Sequence, residues 1–307
     1  MAEPNEASSA ELDRHDIHVD ASHAQSLFSV PVAIVQTATA AGYGLWMVLG
    51  ASLALALYPD GRGEVLVPLA IGLVLASTGL LATCLRLRFA PAWHGWNPVK
   101  RMMPTPEGLV AMGNYLPMLA LAGLARGGND FWATRLAGGV LTLCSLATLV
   151  YTARAAMRPL TPALAVIANV TPLGRTVSAA LAGGLWFWLC LATQAPAALG
   201  DPWRMVLLGV ALAAGVAEGA RWRALRRVAA ERGVEARVVG GRWGLSLLGS
   251  RFGVAALSVG LPCVLLVAHG QHDLPWLLAG VGTLSCAVGQ CLEQRLYGMA
   301  YLAVAAE

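Results

Sequence analysis

Charge is scarce in this chain. Of its 307 residues, 12% are Asp, Glu, Lys or Arg, against about 25% in a soluble globular domain. So few charges do not cover a water-facing surface, and a soluble single domain is excluded. Histidine is absent from the middle of every apolar run. His15, His18 and His23 lie in a polar N-terminal segment, His94 in a basic connection, and His269 and His272 at the end of one run. No pair is placed to clamp a haem inside a bilayer, so no haem is expected. The six cysteines, Cys84, Cys144, Cys190, Cys263, Cys286 and Cys291, form no C-x-x-C pair and lie within or at the ends of apolar runs. A disulfide framework, a zinc site and an iron–sulfur site are therefore not expected; the cysteines read as small hydrophobes. A phosphate-binding loop, a G-x-S-x-G elbow and an H-E-x-x-H motif are also missing, which removes the common nucleotide, serine-hydrolase and zinc-protease signatures.

Apolar sequence is abundant. Hydrophobic residues make up 57% of the chain, and its mean hydropathy is +0.62. Eight apolar runs stand out, at roughly 29–57, 64–86, 107–126, 132–153, 173–195, 203–220, 252–269 and 274–301. Each is about long enough to cross ~30 Å of hydrocarbon as a helix. Backbone groups in lipid must be satisfied within the chain, so helices are the expected form. The predicted fold is all-α: a polytopic membrane protein with a bundle of eight transmembrane helices over 29–301. A polar arm, 1–28, precedes it and a short tail, 302–307, follows. The arm has no basic segment followed by a short apolar core and cleavage site, so it does not read as a signal peptide.

Basic residues set an expected orientation. Arg86, Arg88, Lys100 and Arg101 follow the second run, Arg154, Arg158 and Arg175 the fourth, and a cluster from Arg221 to Arg251 the sixth. The alternate connections hold only Arg62, Arg126, Arg135 and Arg204. The positive-inside rule puts the first set, and with eight spans both termini, in the cytoplasm. The localisation implied is the inner (cytoplasmic) membrane. The basic stretch 220–251 adjoins a span, so lipid head groups or a partner protein suit it better than nucleic acid.

Ionisable residues inside spans are informative because they are costly there. Glu107 opens the third run behind Pro104 and Pro106, at a helix start that favours a carboxylate. Arg86 closes the second run. Glu218 and Arg221 close the sixth and read most simply as snorkelling to head groups. Gln290, Glu293 and Gln294 recur at helical spacings in the last run and can share a face. All of these fall toward the expected cytoplasmic side. A one-sided polar cluster suits a lipid-soluble redox carrier such as a quinone, whose head takes up protons from one aqueous face. The first run also carries a small-residue patch, Thr39-Ala40-Ala41-Gly42-Tyr43-Gly44. Its glycines suit either close helix packing or the passage of a flat ring beside Tyr43.

Four stretches resemble the anchor-subunit family of dimethyl sulfoxide reductase, which includes membrane subunits of cytoplasmic sulfite dehydrogenases. "FSVPVAIVQTATAAGYGLWMVLG" is similar to that family's first span, with Ala41-Gly42-Tyr43-Gly44-Leu45 at its Gly-Tyr-Gly-Leu patch. "LRLRFAPAWHGWNPVKRMMPTPEGL" is similar to its tryptophan-bearing basic loop, and Glu107-Gly108 matches the Glu-Gly that opens its third span. "VYTARAAMRPLTP" resembles the end of its fourth span. "GQCLEQRLYGMAY" resembles its last span, with Leu292, Glu293 and Leu296 matching. Pro106 and Gln294 stand where the family has arginine, and Arg86 stands near the place of its turn histidine.

The resemblance implies a role as the non-catalytic membrane subunit of an oxidoreductase complex. Its partners would be a molybdopterin catalytic subunit and a four-cluster iron–sulfur subunit, which carry those cofactors, docked on basic cytoplasmic loops. This chain would exchange electrons with ubiquinone or menaquinone. Glu107 or Glu293 would move protons, and Arg86, His94 and Tyr43 would hold the quinone head. The alternatives are an anchor without a working quinone site and an unrelated polytopic transporter.

Overall fold

The computed structural model describes residues 29–59, 63–85, 96–97, 103–125, 127, 131–155, 165–195, 201–231, 247–268 and 274–305. The arm 1–28, Arg86 and His94 lie outside the described residues. The helices are α1 (Val30–Ala54), α2 (Leu66–Cys84), α3 (Pro106–Gly113), α4 (Tyr115–Leu124), α5 (Trp132–Ala155), α6 (Ala165–Gln194), α7 (Asp201–Glu231), α8 (Leu247–Ala255), α9 (Leu261–Ala268) and α10 (Pro275–Ala305). A π-helical turn, Ala256–Gly260, joins α8 to α9. Between α2 and α3, β1 (Trp96–Asn97) and β2 (Met103–Pro104) form a two-residue antiparallel ladder, with Trp96 opposite Pro104 and Asn97 opposite Met103.

Among the described residues, six helical segments are long and apolar enough to cross a membrane, in α1, α5, α6, α7, the α8–α9 unit and α10. The second predicted run is a shorter apolar helix, and the third is interrupted. Leu116, Leu143, Leu212, Val216 and Leu284 are largely exposed, as a lipid-facing periphery requires. Apart from the short ladder, the regular structure of the described residues is helical, that of a multi-pass membrane protein.

The first run does not sit at the edge of the bundle. α1 packs against α2, α5, α6 and α10, and its stretch from Ala41 to Trp46 is buried on every side. A helix surrounded by others needs small residues wherever a neighbour crosses it. Gly42 lies on the backbone of Gly72 and Ala76 in α2, and Gly44 on Ala179 of α6, with Gly183 against it. Gly50 meets Gly138 and Thr142 of α5. A β-carbon at any of the three would collide with backbone. The glycines therefore admit neighbouring helices and not a passing ring. Trp46 fills the space over Gly72 and donates its Nε1 to the Leu69 carbonyl at 3.1 Å.

The third run breaks for local reasons. Thr105 caps α3, accepting from the Gly108 N–H at 3.1 Å, with Pro106 at the first helical position, a favoured start. Pro117 then lacks the N–H that would continue the ladder from Gly113, and the chain turns at Asn114. The buried Asn114 amide donates to the Cys144 carbonyl at 3.2 Å and to Thr148 Oγ1, and its Oδ1 accepts from Ser145 Oγ at 3.1 Å. The broken helix is thus tied to α5 by a polar side chain.

Three predicted boundaries are corrected. The fifth run was placed after Pro172, but α6 starts at Ala165 and continues through that proline. On either side of it the Thr171 and Thr176 hydroxyls donate to the carbonyls of Ile167 and Pro172, each at 2.8 Å. The sixth run was ended at residue 220, but α7 reaches Glu231. Trp222, Leu225 and Val228 keep a helical apolar stripe going among the arginines, packed on Ile167, Tyr297, Ala300 and Val304. Arg175, Arg221, Arg223, Arg226 and Arg227 are consequently helical residues, and Arg251 lies in α8. The tail predicted at 302 is instead the end of α10, which runs to Ala305.

Gly44→Val tests the central contact. The branched side chain would meet the Ala179 carbonyl, and overpacking of this kind costs about 1–3 kcal/mol. The apparent Tm of detergent-purified protein should fall by several degrees. Gly209→Ala, where a β-carbon meets nothing within 4 Å, should leave it unchanged. Equal melting of Gly44→Val and wild type would contradict the packing described.

Candidate functional site

A cavity of about 60 Å³ lies where α1, α5, α6, α7 and α10 converge. Its lining comes from the N-terminal halves of α1 and α6 and the C-terminal halves of α5, α7 and α10. These halves therefore share one end of the bundle, as alternating spans require. Ala40 of α1, Ala179 of α6 and Leu149 and Ala153 of α5 supply its apolar wall, and Tyr43 of α1 adds a phenol ring. Its polar groups are Gln36, Thr152, Arg175, Ser178, Glu218, Arg221, Gln290, Glu293 and Gln294.

The charges are arranged in sequence. Arg221 is 4% exposed and pairs with Glu218 one turn before it, Nη1 to Oε2 at 2.8 Å. Gly174 makes room for it, since a β-carbon there would strike the aliphatic part of Arg221. The Arg221 guanidinium also lies 4.2 Å from the centre of the Tyr297 ring, a favourable cation–π distance. Trp222, the next residue, donates its indole N–H to Glu293 Oε1. It meets Tyr297 edge-on at 5.5 Å. Glu293 lies within electrostatic reach of both Glu218 and Arg221, and Arg175 of Glu218 and Arg221. Two guanidiniums thus face two carboxyl groups. A buried charge is tolerable only when paired and hydrogen-bonded, and this quartet is formally balanced. Gln290 donates to the Ser178 carbonyl at 2.8 Å, pinning α10 to α6 beside it.

The predicted site residues divide. Tyr43 and Glu293 both line the cavity, together with Gln290 and Gln294 from the same predicted helix face. Glu107 is buried, but it is not among the lining residues; it sits in the first turn of α3, which packs on α5. Arg86 and His94 lie outside the described residues.

Glu218 and Arg221, predicted to snorkel toward head groups, are instead partners inside the bundle. Arg175, predicted as a loop cation, lines the cavity. One sequence feature pointed that way. Glu218 and Arg221 are three apart, the spacing of a pair on one helix face. Nothing local distinguished Arg175, because its place depends on α6 continuing through Pro172.

Comparison with protein-family models, with curated proteins and with solved structures finds no match to this chain. Its chemistry is therefore read from the site. Paired carboxyl groups can hold and pass a proton, arginines can stabilise developing negative charge, and the amides and Tyr43 supply hydrogen-bonding groups at the end of an apolar bundle.

Removing one member of the pair should be worse than removing both. Arg221→Met leaves Glu218 without its cation, and breaking a buried pair costs roughly 3–5 kcal/mol. Thermal unfolding of the detergent-purified protein should show a marked loss for Arg221→Met and substantial recovery in Glu218→Gln/Arg221→Met. No recovery in the double variant would mean that the two side chains are not coupled.

Proposed function

We propose that this chain is the membrane subunit of a multi-subunit oxidoreductase. It anchors an iron–sulfur subunit and a molybdopterin-bearing catalytic subunit at the cytoplasmic face of the inner membrane. It exchanges electrons between the iron–sulfur subunit and ubiquinone or menaquinone. The observation that carries this reading is the meeting of Tyr43 and Glu293, from opposite ends of the chain, in one polar cavity near one end of the bundle. Both residues belong to the stretches that resemble the reductase anchor family.

The donor and acceptor set fits a quinone head. Arg175 Nε, Arg221 Nε, Glu218 Oε1 and Gln294 Oε1 are buried without a hydrogen-bond partner among the described residues. Groups left in that condition are unfavourable, and a ring oxygen or hydroxyl would answer them. When bound, the quinone supplies a couple that takes up electrons and protons together. Arg175 and Arg221 would hold a ring oxygen through charge-assisted hydrogen bonds. Glu293, with Glu218 beside it, would carry a proton at a carboxyl oxygen. The apolar wall around Tyr43 would keep bulk water from the ring. A quinone ring is larger than the present cavity, which admits a few waters. Binding therefore requires the half-buried Gln36 and Gln294 to move. Exposed basic residues at this end, such as Arg154, would steer an acidic partner.

The test uses the purified complex. Glu293→Gln should slow quinone-linked turnover by about a hundredfold or more, the range for losing a positioned proton carrier, while turnover with an artificial dye persists. Glu107→Gln, outside the cavity, should change neither rate more than about twofold, below the range for a proton carrier. An unchanged quinone rate in Glu293→Gln would remove the cavity as the quinone site. Tagged protein that purifies with no molybdenum- or iron-containing subunit would remove the anchor reading itself.

A further inference from the structure

A second feature lies outside the cavity, on the periphery of the same end of α7. Residues Leu212, Val216, Gly219, Arg223 and Arg227 recur at intervals of three and four, so they form one stripe along the helix. The stripe changes character along its length. Leu212 is 71% and Val216 67% exposed. Beyond Gly219 it becomes a groove of about 560 Å³ lined by Arg223, Arg226, Arg227 and, from α8, Arg251. No carboxylate lines it among the described residues. Arg251 is held in place, its guanidinium 4.4 Å from the centre of the Trp222 ring. Phe252, next to it, is 74% exposed and continues the apolar surface on α8.

Arginines one turn apart on a helix repel each other, and a groove of four calls for an anion. Its depth indicates which kind. α7 has 31 residues, about 45 Å at 1.5 Å per residue, whereas the hydrocarbon layer is ~30 Å. The arginine end of α7 therefore reaches the head-group layer while Leu212 and Val216 remain among acyl chains. Gly219 lies between the two parts, and a β-carbon there would meet nothing within 4 Å.

We infer that the groove of Arg223, Arg226, Arg227 and Arg251 binds the phosphate of an anionic phospholipid whose acyl chains lie along Leu212, Val216 and Phe252. Basic grooves at membrane ends favour such head groups, and guanidinium groups engage phosphate oxygens in pairs. A free phosphate would use only the arginines. A zwitterionic lipid would use the apolar stripe without the net charge. The site does not depend on the quinone reading, because it shares no lining residue with the cavity.

The experiment is native mass spectrometry of the full-length, delipidated protein in an uncharged detergent. Dioleoylphosphatidylglycerol, dioleoylphosphatidylcholine and inorganic phosphate are added at equal concentration. Phosphatidylglycerol should be retained at least fivefold more than phosphatidylcholine, and phosphate should not displace it. The preference should disappear in Arg223→Gln/Arg227→Gln and in Arg251→Gln. Arg223→Lys, which keeps the charge, should retain at least half of it and shows that altering the position does not by itself unfold the groove. Equal retention of the two lipids would overturn the inference. So would displacement by phosphate, or a preference unchanged in the glutamine variants. Loss of a co-purifying acidic subunit from those variants, with lipid retention intact, would assign the arginines to a docked protein instead.

Discussion

The backbone contact at Gly44 is the constraint from which the rest of the bundle follows. α1 can stand at the centre only because Gly42, Gly44 and Gly50 let α2, α6 and α5 approach its backbone. Without a water-driven hydrophobic force between helices in lipid, close packing and interhelical hydrogen bonds hold them together. The Trp46 bond to Leu69 and the Thr142 bond to Met47, at 3.1 and 3.2 Å, are of this kind. The position of Tyr43 is a consequence. Lying between two helix-crossing glycines, it faces the gap that α5, α6, α7 and α10 leave at one end.

That gap is where the fold accommodates charge. Arg175, Glu218, Arg221 and Glu293 come from three helices, and none would be tolerable alone in an apolar bundle. Trp222 and Tyr297 organise the group. One ring donates to Glu293 and packs under Arg251, and the other packs under Arg221. A balanced and incompletely hydrogen-bonded quartet, with Arg221 and Glu293 buried and Arg175 and Glu218 half-buried, is poorly explained as packing alone, since apolar residues of the same volume would often serve stability as well. On the function proposed above, it would handle protons beside a polar guest. On the periphery of the same helix, Arg223, Arg226 and Arg227 line a groove that no carboxylate lines among the described residues. The two faces of α7 thus treat arginine differently, balanced inward and clustered outward.

The amino-acid sequence determined the class of this protein. Sparse charge and apolar runs of bilayer length require helices in a membrane, because no other local structure satisfies the backbone there. It also marked Tyr43, among the small residues, and Glu293, beside Gln290 and Gln294, as unusual in their settings. Only the tertiary structure decided which charges meet. The fates of Arg175 and Arg221 depended on α6 passing through Pro172 and on α7 continuing past residue 220. Those continuations are supported by packing against Tyr297, Ala300 and Val304, far along the chain. Helix propensity and spacing are local, whereas the pairing energy of a buried charge depends on neighbours that only the folded bundle brings within a few ångströms.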